Sequence, residues 1–229
     1  MPVIDDIRDS QKMLKGKGFK YKVQYFWEYY RVPLIIILAF VAIAISVITT
    51  MIKNKPAQFA VAWVNAVGLP DSVSFAGYAG IDESNGLVSF DSGYLISTDP
   101  LNITEATYTS SQKLMASIAG ATLDTMVCTE DLARGYLNSE LSADLREIYS
   151  EAELEAFGDK VLWGTPTNPE TGEVLGEEMP YAICIGSASA ITSVPCYFDE
   201  DVYVAVIANA PHKDMVKKVV DFLFEWKPE

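Results

Sequence analysis

From Leu34 to Ile52 the chain reads LIIILAFVAIAISVITTMI, nineteen residues without a single charge. Wound as a helix at ~1.5 Å per residue, the run is about 29 Å long, close to the ~30 Å hydrocarbon core of a bilayer. It is apolar all round and has no polar stripe, which argues against a helix lying on a soluble core. A secretory leader carries an apolar core of only about 7–15 residues behind a short basic head. Here more than thirty residues precede the run, and they hold their own aromatic cluster. An Ala-x-Ala pattern occurs at Ala60 and Ala62, but it falls beyond Lys53, Lys55 and Pro56 inside a strand-like run. No Cys follows closely enough for lipoprotein processing. The sequence therefore predicts a permanent anchor over 33–53, with the lipid bilayer as its first partner.

The flanks give the anchor a direction. Residues 1–31 hold seven basic side chains (Arg8, Lys12, Lys15, Lys17, Lys20, Lys22, Arg31) against Asp5, Asp6, Asp9 and Glu28, a net of +3. The whole chain carries −14, so the remainder carries −17. Basic residues in short flanks stay on the cytoplasmic side. The expected arrangement is a cytoplasmic segment over 1–32 and an extracytoplasmic domain over 54–229, a single pass through the cell membrane. Phe26, Trp27, Tyr29 and Tyr30 stand where an interfacial aromatic belt belongs, and Pro33 fits the first turn of the spanning helix.

The external part is large enough to bury one core. Its acidity argues against nucleic acid, which needs a basic footprint, and against lying flat on anionic lipid. Three cysteines are an odd number. Cys184 and Cys196 bracket a small-residue loop and are candidates for a disulfide outside the cell, with Cys128 left over. Three reduced thiols packed among apolar side chains is the alternative.

Along that region strand-like and helix-like patterns alternate. FAVAWV (59–64) and LDTMVC (123–128) are continuous apolar runs, expected of strands buried on both faces. In LVSFDSGYLI (87–96), Val88, Phe90, Tyr94 and Ile96 share one face at period two. A short helix is expected over 71–80 behind Asp71. A longer one follows over 104–119, with Ser111, Leu114, Met115 and Ile118 on one stripe and Gly120 as its stop. Asn102-Ile103-Thr104 matches a glycosylation sequon, but Asn102 or Thr104 as the cap of this helix is the favoured reading. Glu130 and Asp131 suit the positive end of a helix starting at Thr129. Ser150 and Glu153 form a capping box for a helix through Phe157. VLWG (161–164) and EVL (173–175) flank the turn-rich TPTNPETG as a hairpin. YAICI (181–185) and VYVAVIA (202–208) are the last strands. Pro211 is expected at the first position of a closing helix that packs Met215, Val219, Phe222, Leu223 and Trp226. The expected fold class is α/β: one layered domain with some parallel strand pairing behind the anchor.

Three stretches, taken in order, resemble a known group: YFWEYYRVP before the anchor, SSQKLMASIAGATLDTMVCTEDLARGYL, and MPYAICIG followed by VYVAVIANAPHKDMVKKVVDFLFEW. The chain resembles single-pass, membrane-anchored proteins of Gram-positive, Clostridia-like bacteria whose external part is similar to type 2 periplasmic (extracellular) solute-binding proteins. The resemblance implies one lobe of that fold. It departs from the family between Asp159 and Asp201, too short a stretch for a second lobe. The resemblance places any binding face at the carboxyl ends of the strands, beside helix N-termini. The matching positions are Asn65, Thr129, Glu130 and Ser187; turn, cap and loop roles are the plainer readings.

Catalytic patterns are absent from the sequence: no G-x-S-x-G, no H-E-x-x-H and no phosphate-cradling glycine loop. His212 is the single histidine and reads as a cap residue. Asp199, Glu200 and Asp201 lack calcium-loop spacing and read as a solvated turn. No cofactor, metal site or enzymatic activity is expected. The expected function is a membrane-tethered interaction or accessory domain, working with a membrane-protein partner or a second copy of itself. The alternative is a receptor holding a small solute or peptide in a shallow groove.

Overall fold

The computed structural model describes residues 18–53, 57–82, 86–197 and 201–226. Arg8, Lys12, Lys15, Lys17, Asp199 and Glu200 lie outside the described residues, as do the side chains of Phe26, Tyr29 and Tyr30. The chain divides into two compact units, Met1–Lys55 and Pro56–Glu229.

Among the described residues of the first unit one helix, α1 (Phe19–Lys53), runs for 35 residues, about 52 Å at ~1.5 Å per residue. Its segment Arg31–Thr50 has a mean hydropathy of 2.9 and none of it is buried, so it is long and apolar enough to cross a membrane. The two threonines near its end satisfy themselves: Thr49 Oγ1 donates to the Ile45 carbonyl at 2.7 Å and Thr50 Oγ1 to that of Ser46 at 2.8 Å. Such back-bonding satisfies each hydroxyl within its own helix. Pro33 does not open the helix as the sequence reading had it; it lies inside, fourteen residues after Phe19. Aromatic and basic residues before it continue the helix, and one missing N–H is tolerable within a segment this long.

The second unit is built on one six-stranded mixed sheet of order β2-β1-β3-β6-β5-β4. Its strands are β1 (Ala57–Val64), β2 (Leu87–Tyr94), β3 (Thr125–Thr129), β4 (Val161–Gly164), β5 (Met179–Cys184) and β6 (Val202–Val206). β1 pairs parallel with β2 and β3; β6 enters antiparallel between β3 and β5, and β4 closes the far edge antiparallel to β5. The helices are α2 (Ser72–Ala79), α3 (Glu105–Ala119), α4 (Glu130–Asn138), α5 (Glu151–Phe157), α6 (Ser189–Ser193) and α7 (Val216–Glu225).

Period-two alternation sorts the strands onto two cores. Phe59, Val61 and Trp63 of β1 join Val127 and Val202, Val204 and Val206 beneath α2, α5, α6 and α7. Ala60, Ala62 and Val64 join Met126, Cys128, Tyr203 and Ala205 beneath α3 and α4. Both faces of β1, β3 and β6 are covered, which is why those strands read as unbroken apolar runs. Local signals hold at the helix starts. Thr104 caps α3, accepting from the Thr107 N–H, and Ser150 and Glu153 form the capping box of α5.

Four readings need correction. Val88 and Phe90 pack against the first core, whereas Tyr94 belongs to the second and Ile96 packs against it. An irregularity in the β1–β2 register between Ala62 and Val64 flips the face of the strand. VLWG does not pair with EVL. Val161 and Leu162 pair with Ile183 and Ala182 of β5, while the intervening turn closes on itself through an isolated Thr167–Val174 bridge. The Asn168 side chain, accepting from the N–H groups of Glu170 and Thr171, holds that turn. Pro211 does not start the last helix; α7 begins at Val216 behind a 3-10 turn over Lys213–Met215, with His212 between Pro211 and that turn in a non-helical conformation, φ −125° and ψ 54°. Finally, Cys184 and Cys196 are not joined: all three cysteines are thiols. Cys184 packs on the α3/α4 face of the sheet and Cys196 within the opposite core, so their side chains point apart and no bridge can close.

One surface cluster carries a pH signature. Lys217 Nζ on α7 donates to Glu153 Oε1 at 2.7 Å and Oε2 at 2.9 Å. The Lys217 hydrogen bond, followed by the Ser150 N–H and hydroxyl, lowers the Glu153 carboxyl from 4.5 to about 2. A depressed carboxyl stabilises the fold above its unfolded value, and that contribution fades as pH falls from 4.5 toward 2. Glu153→Gln is therefore expected to flatten the melting temperature against pH across that window and to leave its shape near neutrality unchanged. Thermal scans across the acid range check it; parallel curves for both proteins would refute the assignment.

Candidate functional site

The sheet places three strand ends side by side. β1 is followed by Asn65, β2 by the segment Leu95–Asp99, and β3 by the first turn of α4. Between β1 and β3 the chain order reverses, since β2 lies on one side of β1 and β3 on the other. Such a switch point leaves a crevice beyond the carboxyl ends of the strands. Here the crevice has a volume of about 470 Å³ and is walled by Asn65, Ile96–Asp99, Thr129–Leu132 and Asp201.

Each wall is fixed locally. Asn65 adopts a left-handed backbone, φ 59°, a conformation asparagine tolerates better than most residues. Its side chain spans two loops: Nδ2 donates to the Ile96 carbonyl and Oδ1 accepts from the Ile96 N–H, both at 2.8 Å. Asp99 accepts from the Leu101 N–H at 2.9 Å and from Asn102 Nδ2 at 2.7 Å, which sets the short 3-10 turn Pro100–Asn102. Thr129 is the N-cap of α4 but makes no side-chain capping bond, so among the described residues the first N–H groups of that helix have no side-chain partner at the crevice. Glu130 pairs with Arg134 one turn on, at 2.6 Å, and that bond chiefly raises the guanidinium above its ordinary value. Asp131 and Asp201 make no hydrogen bond or ion pair among the described residues.

Three of the four positions taken from the sequence, Asn65, Thr129 and Glu130, thus border one crevice. Ser187 does not; it is exposed in the turn between β5 and α6. Asn65 is chiefly a clasp between loops. Ser97, Thr98, Asp99, Asp131 and Asp201 were not legible as wall residues, although Asp-Pro at 99–100 marks the turn that delivers Asp99.

Four carboxyl groups, Asp99, Glu130, Asp131 and Asp201, line one open volume, and Arg134 partly neutralises one of them through its bond to Glu130. The arrangement suits a positively charged group. Burial pushes the Cys128 thiol up to about 12 and the Cys196 thiol up to about 11, so neither supplies a thiolate near neutral pH. Among the described residues no three His, Cys, Asp or Glu side chains are placed to hold a metal ion.

The reading missed one buried constellation at the opposite end of the sheet. Asp124, 1% exposed, accepts from the Ala60 N–H at 2.8 Å, from the His212 N–H at 2.8 Å and makes a 3.1 Å contact with His212 Nδ1. The signal was a charged residue opening an otherwise apolar strand, which demands partners.

Comparison with family models, curated proteins and solved structures gives no match for this chain.

Proposed function

We propose that this chain is a membrane-tethered, non-catalytic interaction or accessory domain derived from one lobe of a solute-binding protein. Its N-terminus lies in the cytoplasm and its acidic body outside, and it contacts a partner through the crevice at the strand ends. The spanning-length helix, the basic segment before it and the acidic body after it support the arrangement. The observation that carries the reading is the crevice itself: it stands at a topological switch point, acidic and open, in a body built on one sheet. A pocket that captures a small molecule buries about 70–90% of its surface. A half-clamp of this kind is better completed by another protein presenting lysine, arginine or an amino terminus.

Copurification of the full chain from membranes in mild detergent tests the proposal. A stable companion, or a stable self-association, is expected with the native chain and is expected to be lost in Asp131→Asn/Asp201→Asn, which spares every local bond described above. A strictly solitary native protein would count decisively against it.

A second reading, a receptor for a small ammonium-bearing solute, draws on the uncapped first turn of α4 beside those carboxyl groups. At 100 times its dissociation constant a ligand stabilises the fold by about 2.7 kcal/mol, a rise of roughly 5–10 °C for a domain of this size. A thermal-shift screen with amines, amino acids and short peptides separates the two readings.

A further inference from the structure

Helix α1 does not begin at the apolar run. It starts at Phe19 and carries twelve residues, Phe19–Tyr30, ahead of the spanning segment that opens at Arg31. With 3.6 residues per turn, Lys20, Gln24, Trp27 and Arg31 recur at spacings of four, three and four and fall on one stripe. Lys20, Val23, Gln24 and Trp27 line a shallow groove of about 420 Å³, and Trp27 is 61% exposed.

The rise of the helix fixes what this stripe meets. Counting ~1.5 Å per residue back from Leu34, Arg31 stands about 5 Å beyond the hydrocarbon and Trp27 about 10 Å. A headgroup layer is roughly 5–8 Å thick on each side. Arg31 therefore lies within that layer and Trp27 roughly 2 Å or more beyond its outer edge, a gap that helix tilt and the size of the indole ring can close. Lys20 is some 21 Å out along the axis, and tilt together with the length of its side chain brings its charge to roughly a Debye length from the headgroups. Residues 1–31 carry a net charge of +3.

We infer that the Lys20–Gln24–Trp27–Arg31 stripe is a binding surface for anionic phospholipid headgroups. Lys20 and Arg31 supply the attraction for phosphate and for the extra negative charge of such lipids, and the Trp27 ring supplies interfacial contact. Lipid is favoured over an acidic protein surface because the adjoining span holds the stripe beside headgroups continuously, so their effective concentration is always high. The inference rests on the anchor reading but is independent of the crevice and of which side of the membrane the N-terminus occupies.

The test uses the full chain in bilayer discs made of equal parts phosphatidylcholine and phosphatidylglycerol. The protein is transferred to mild detergent, and the lipid that stays with it after gel filtration is identified by mass spectrometry. Each basic residue at full contact is worth roughly fivefold in binding, so phosphatidylglycerol is expected to be enriched at least about threefold. The enrichment is expected to fall close to parity in Lys20→Gln/Arg31→Gln, to weaken in Trp27→Ala, and to vanish for the native chain in about 1 M salt, where the Debye length is ~3 Å. Parity in the native chain would overturn the inference. So would enrichment that survives both the double substitution and the salt.

Discussion

Replacing Asp124 by alanine is expected to destabilise the external domain by roughly 3–5 kcal/mol, the signature of an emptied buried acceptor. The carboxyl group receives the N–H of Ala60 in β1 and of His212 beyond β6, and it contacts the His212 ring. It ties together segments 64 and 88 residues away in sequence. Without it, two main-chain donors at the base of the sheet lose their acceptor. For a domain of 150–250 residues each kcal/mol moves the midpoint by about 2–4 °C, so the melting temperature should drop by roughly 6–20 °C. Asp124→Asn should fall between, because an amide offers one acceptor oxygen where two oxygens now accept. His212→Ala should cost less than about 1 kcal/mol, since its ring is 38% exposed and its main-chain bond survives the change. Thermal unfolding of the three variants gives the ranking. A change below about 1 kcal/mol for Asp124→Ala would mean that water can take over these donors, contrary to their burial.

That constellation also shows where sequence reading stops. The long apolar helix was legible because its cause is compositional: nineteen uncharged residues in a row suit a helix of membrane-spanning length. β1, β3 and β6 were legible because burial on both faces imposes an unbroken apolar run, and Ser150 with Glu153 was legible because a capping box is closed within four residues. Strand order is different in kind. Nothing local in VYVAVIA indicates that β6 slots antiparallel between β3 and β5, yet that insertion is what brings Asp201 to the crevice and His212 to Asp124. The β1–β2 irregularity that turns Tyr94 to the other face likewise arises between strands rather than within one. The opposed faces of Cys184 and Cys196 were hidden for the same reason: separation in sequence says nothing of which core each residue enters. For the crevice, Asn65, Thr129 and Glu130 could be named from their places after strands, while Ser97, Thr98 and Asp99 arrive through a loop whose path the topology decides.

A chain beginning at Pro56 is expected to leave the membrane fraction altogether while melting at the same temperature as the body of the full chain. Between Leu34 and Ile52 stand twelve Leu, Ile, Phe and Val residues, each favouring insertion by about 0.3–0.6 kcal/mol, some 4–7 kcal/mol together. The acidic body beyond the apolar run offers no comparable term, because residues 32–229 carry −17 and an anionic surface repels them. Pro56–Glu229 is a compact unit of its own, with both cores drawn from its own strands and helices, so its unfolding should not depend on α1. Placing arginine at both Ile43 and Ile45 adds about 5–7 kcal/mol at the middle of the span, enough to cancel the gain, and should send the intact chain toward the soluble or aggregated fraction. Alkaline extraction of membranes followed by sedimentation reads all three proteins on one gel. If the shortened chain still pelleted with membranes, the acidic body would have to hold a membrane contact of its own, and the division into one anchor and one free domain would fail. If the doubly charged chain remained as firmly embedded as the native one, the apolar run would not be the element that holds it.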